Sequence, residues 1–86
     1  MDKTEILTLA KNFFETEYND LNKYFERMKY SNDTSYPRTR AVTCSLQRCL
    51  GIALFVQKLG VTYEEISPVY GEIQEKLLAL SNEDVL

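Results

Sequence analysis

The chain contains no histidine and no tryptophan, only three glycines, two prolines and two cysteines, and no apolar run near the length of a membrane span. Each scarcity excludes something. Without histidine there is no imidazole to act as acid, base or metal ligand. Three glycines and two prolines in 86 residues leave too few turn formers for a many-stranded sheet and favour a few long helices. A bilayer-spanning helix needs about 20 apolar residues, so no membrane segment is expected. The N-terminal "MDKTEILTLAKNFFETEYND" is charged throughout and lacks the apolar core of a signal peptide, which points to a cytoplasmic protein.

Cys44 and Cys49 are five residues apart in what reads as one helix. At about 100° per residue they face nearly opposite ways and cannot bond to each other. They read as reduced thiols in or beside the core, with no metal site and no nucleophile implied. No G-x-G-x-x-G, G-x-x-x-x-G-K-[ST], G-x-S-x-G or H-E-x-x-H occurs. The sequence therefore predicts no enzyme, no catalytic residues and no cofactor.

What is present is helical periodicity in a single domain spanning 1–86. Ile6, Leu7, Ala10, Phe13, Phe14, Tyr18, Leu21, Tyr24, Phe25 and Met28 fall within one arc and predict a helix over 3–30. Asp2 or Thr4 can cap it. Glu17 breaks the arc. It either reaches past the edge to solvent or pairs with an arginine of the next helix. "SNDTSYP" (31–37) reads as a turn. Pro37 suits the first turn of a second helix over 38–59, with Thr39 as an alternative cap and Gly60 closing it. Its expected core face is Val42, Leu46, Cys49, Leu50, Ala53 and Val56. Ile52, Leu54, Phe55 and Leu59 lie off that face, so the helix is apolar nearly all round and should be covered on more than one side. Helices 1 and 3 could cover it as the spine of the molecule, or a partner subunit could.

The strongest local signal is "GVTYEEI" (60–66). Thr62 and Glu65 make a T-x-x-E capping box, and Val61 and Ile66 occupy the positions of a hydrophobic staple. This opening resembles the first half of a helix-turn-helix. The second half does not follow: Ile66, Val69, Tyr70, Ile73, Leu77 and Leu80 keep one phase through Gly71, and the would-be reading helix is acidic. A third helix over 63–81 is expected instead, kinked or split near Pro68. The fold class is all-α, a three-helix up-down-up bundle with short loops.

Charge is unevenly placed. Residues 37–60 hold Arg38, Arg40, Arg48 and Lys58 and no acid; residues 61–86 hold six acids and one base. The chain reads as a non-enzymatic protein-binding module, a regulator or inhibitor that self-associates as a homodimer through its central helix. The expected partner surface is Arg40, Gln47, Leu54, Phe55 and Lys58, where basic and apolar groups share a face. The alternative is a nucleic-acid-binding regulator using Arg38, Arg40, Arg48 and Lys58. Small acidic helical bundles of this size include immunity proteins, antitoxins and phage or mobile-element inhibitors, an analogy of fold that assigns no residue.

Overall fold

The computed structural model describes residues 1–31 and 38–82, the side chains of 29–31 and 82 excepted. The turn expected over 31–37, with Pro37, and the acidic end 83–86 lie outside the described residues, save that Ser31 belongs to the first helix. Three helices are present: α1 (Lys3–Ser31), α2 (Arg38–Lys58) and α3 (Tyr63–Asn82). No strand occurs among the described residues. All boundaries fall within a residue of those expected.

Helix α1 starts where its first free amide finds an acceptor: the Glu5 amide donates to Asp2 Oδ1 at 2.8 Å, so Asp2 is the cap. Thr4 lies inside the helix, its carbonyl taking the Thr8 hydroxyl. The expected stripe is the buried one. Ile6, Ala10, Phe14, Leu21 and Phe25 are buried, and Leu7, Phe13, Tyr18, Tyr24 and Met28 pack against them. In α3, Ile66, Ile73, Leu77 and Leu80 are buried, with Val69 and Tyr70 at their edge. Helix α3 runs unbroken through Pro68 and Gly71. The split form does not occur, because the apolar phase is continuous across the proline.

The α2–α3 connection is closed by backbone hydrogen bonds on both sides of the turn. The Val61 amide donates to the Val56 carbonyl at 3.1 Å and the Gly60 amide to the Gln57 carbonyl at 3.2 Å. This is a Schellman closure with Gly60 in the left-handed region, at φ 108°. One residue later the next helix is already capped: the Glu65 amide donates to Thr62 Oγ1, and the Thr62 amide to Glu65 Oε1 at 2.9 Å. Val61 serves both motifs. It is the apolar residue that follows the Schellman turn and the first member of the staple with Ile66. Both are almost completely buried, beside Val56.

Helix α2 departs from expectation in three ways. Thr39 is not a cap but the second residue of the helix, its carbonyl accepting from the Thr43 hydroxyl at 2.9 Å. Leu50 is exposed, and Ala41 and Ser45 are buried in its stead. The buried face is thus Ala41, Val42, Ser45, Cys49, Ala53 and Val56. Most of these are small; of the bulky apolar side chains, Leu46 and Ile52 pack at the core edge and Leu50, Leu54, Phe55 and Leu59 turn outward. Nor is α2 a spine wrapped by its neighbours. Leu50, Leu54, Phe55 and Leu59 stand in solvent, 43–57% exposed.

Candidate functional site

The outer side of α2 is the feature that the core does not explain. A two-helix neighbourhood can cover only the inward arc of a third helix, and here that arc is filled by small residues. At about 100° per residue, the exposed side divides into two flanks and a crest.

The flank toward α1 carries Arg48, Ile52, Phe55 and Leu59. Phe55 and Leu59, with Ile52, close an almost wholly apolar groove of about 250 Å³ against Met1 and against Leu9 and Phe13 of α1. The flank toward α3 carries Leu46, half-buried, then Leu50 and Leu54, both exposed. Exposed Arg40, Gln47 and Lys58 form the crest. Four of the five residues expected to meet a partner, Arg40, Gln47, Leu54 and Lys58, therefore lie in one narrow arc. Phe55 turns about 60–100° away from them, toward the groove.

The four cations of α2 do not share a surface. Arg38 lies at the core edge, its Nε donating to the Leu80 carbonyl at 2.7 Å and its guanidinium 4.1 Å from the centre of the Phe25 ring. Arg48 reaches the opposite way to Glu17, Nε donating to Oε1 at 2.8 Å and Nη2 to Oε2 at 3.0 Å. Arg40 and Lys58 remain exposed, and neither takes part in an ion pair among the described residues.

Glu17, the acid that violates the α1 stripe, is thus the paired one of the two readings. Its Oε2 also accepts from the fully buried Ser45 hydroxyl at 2.8 Å. Burial pushes the carboxyl up, but the bonds from Arg48 and Ser45 outweigh it and hold Glu17 below its ordinary value. The same contact raises Arg48 above its usual range. Every oxygen of the cluster is satisfied, which makes it a structural clamp between α1 and α2. Ser45 was not foreseen: a lone serine in an apolar run signals burial only once its acceptor is known.

Cys44 and Cys49 are both reduced. Cys49 is fully buried, and burial, then the Glu17 carboxylate, push its thiol up to about 11. That disfavours the thiolate a nucleophile needs. Glu65 is held below its ordinary value by the Thr62 amide and hydroxyl, and Lys3 lies 3.5 Å from it. Among the described residues no three His, Cys, Asp or Glu side chains group so as to hold a metal ion, and no helix is long and apolar enough to cross a membrane. No family model, no curated protein and no solved structure matches the chain.

Proposed function

We propose that this protein is a small, non-enzymatic, cytoplasmic protein-binding module, a regulator or inhibitor, whose interface is the outer side of its central helix and which self-associates there. Its architecture is a three-helix up-down-up bundle with α3 bent at Pro68. The order of contacts supports that topology. Lys3 meets Glu65, Phe14 meets Tyr70 and Tyr18 meets Lys76, so α1 and α3 advance together. Arg48 meets Glu17 while Arg38 meets Phe25, so α2 runs the other way. Extents of 45 × 18 × 17 Å match the roughly 43 Å length of a 29-residue helix laid along one axis. Proline at 68 leaves the Glu64 carbonyl without its helical donor, the usual cause of a bend.

The functional reading rests on one observation: α2 buries mostly small side chains and leaves Leu50, Leu54, Phe55 and Leu59 exposed. A helix evolved only to hold a monomer together would be patterned the other way, because each large apolar side chain gains about 1.5–3 kcal/mol when it leaves water. Contiguous exposed apolar residues among cations are the composition of an interface. Light scattering tests it. The wild type should have about twice the 10.0 kDa mass of the chain. Arg40→Glu with Phe55→Ser should keep full helix content and shift the mass toward that of one chain. A double variant with unchanged mass removes this side of α2 from the interface.

A further inference from the structure

The surface shared by α2 and α3 has a property that decides how two copies can meet. The flank of α2 away from α1 holds Leu50 and Leu54. The matching flank of α3 is fixed by exclusion. Val69, Glu72 and Lys76 line a cavity with Lys11, Phe14 and Glu15 of α1, so the other flank of α3, with Ser67, Gly71, Gln74 and Leu78, adjoins α2. Leu78 is exposed, and a Cβ added at Gly71 would meet nothing within 4 Å. The exposed leucines of this face are Leu50, Leu54 and Leu78; with Arg38 against Leu80, Leu78 lies toward the Arg38 end and Leu54 toward the turn, so they form a discontinuous apolar strip along the face.

The strip is edged by opposite charges, sorted by helix. Apart from Arg48 and Lys76, which lie on the flanks toward α1, the exposed cations of the two helices are Arg40 near one end of α2 and Lys58 at the other. The exposed acids that rim α3 are Glu64 and Glu75. The turn over 59–62 sets Lys58 and Glu64 at the same end of the molecule; the Arg38–Leu80 contact marks the other end, where Arg40 lies, with Glu75 between the middle of α3 and that end. A twofold axis perpendicular to the helices would lay α2 on the partner's α2 and α3 on the partner's α3. Arg40 would then face the partner's Lys58 and Glu64 the partner's Glu75, so like meets like throughout. A twofold axis parallel to the helices lays α2 on the partner's α3. Lys58 then faces the partner's Glu64, and Arg40 meets the partner's α3 beyond Glu75, with no cation opposite it.

We propose, building on the self-association reading, that the α2–α3 face binds a second copy of this chain about an axis parallel to the helices, each α2 seated on the other's α3. The apolar strip supplies the affinity, and the sorted charges select the arrangement. Phe55, on the other flank, stays outside this contact; in the double variant above, Arg40→Glu carries the loss of mass.

Charge exchange tests the axis, with the dimer dissociation constant read by sedimentation and the helix content of each variant checked by circular dichroism. Lys58→Glu and Glu64→Lys should each weaken the dimer about tenfold, since each alters two symmetry-related contacts. The combined variant should return to near the wild-type value. Leu78→Ser should weaken it further than either, and Phe55→Ser should leave it unchanged. If Lys58→Glu and Glu64→Lys each tighten the dimer, α2 meets α2 and the proposed axis is wrong, while self-association stands. If Phe55→Ser weakens it and Leu78→Ser does not, the flank is wrong. A wild type that stays a monomer at millimolar concentration overturns both this arrangement and the self-association reading.

Discussion

Glu17 shows how much one side chain can fix. It is the single acid within the apolar arc of α1, and it holds α2 in register through Ser45 and both faces of the Arg48 fork. Removing its charge leaves a buried hydroxyl and a guanidinium short of an acceptor. Glu17→Gln should therefore cost about 1–2 kcal/mol near pH 7, a value reduced by the exposure of Arg48, measurable as a lower urea midpoint. Because the folded carboxyl titrates below its ordinary value of 4.5, the unfolded chain takes up the proton first as pH falls. The stabilisation is complete above that ordinary value and drains away as pH drops through the folded one. The gap between wild type and Glu17→Gln should then be full near neutral pH and begin to close once the pH falls below that ordinary value. A gap that stays unchanged at every pH down to acid unfolding would show that the charge is not what matters. Cys49 offers a second readout at this scale. Iodoacetamide at pH 8 should modify half-buried Cys44 and leave Cys49 untouched until urea is added.

Helices α1 and α3 were legible in the sequence because their cores are built from bulky residues at a helical period, and size and period together mark a face. The start of α3 was legible for a different reason: capping box and staple are local, so the residues that make them are adjacent. The burial pattern of α2 was not legible. Its inward face is small and partly polar, with Ala41 and Ser45 in it, while Leu50 carries the stronger apolar signal and points out. Hydrophobicity reports how much a residue gains by burial; it does not report how close two backbones must come. The layout of the candidate surface was legible only in part. Arg40, Gln47, Leu54 and Lys58 do share an arc, but Phe55 belongs to the groove beside α1, and the partners of Arg38 and Arg48 depended on contacts across 42 and 31 residues of chain. Two glycines test the helix-level account. Gly60→Ala should destabilise by about 1 kcal/mol, since φ 108° is costly for any residue with a Cβ although nothing stands in its way. Gly51→Ala should raise monomer stability by about 0.5–1 kcal/mol, because it lies inside α2 with open space around it. Thermal melts of the two variants should move in opposite directions.

For the molecule as a whole, the placement of charge matters more than its sum. A net charge of −3 is unremarkable for a soluble domain. Its division into a basic middle helix and an acidic third one gives the surface two signs side by side. Association through such a face should weaken only modestly as salt rises from 50 to 500 mM, because the rim is screened and the leucine strip is not. Binding to nucleic acid through α2 would instead fall by orders of magnitude over that range. One concentration series at two ionic strengths separates them.

Val61 ties the end of one helix to the start of the next, and this sets an order of events in time. Closing a loop of four residues costs far less chain entropy than bringing α1 against either partner, so α2 and α3 should be joined in the rate-limiting ensemble while α1 is still loose. Val61→Ala, losing about 2 kcal/mol, should slow refolding about tenfold. Ile6→Val should act almost wholly on the unfolding arm of the chevron. If both arms respond alike to the two substitutions, the hairpin does not lead.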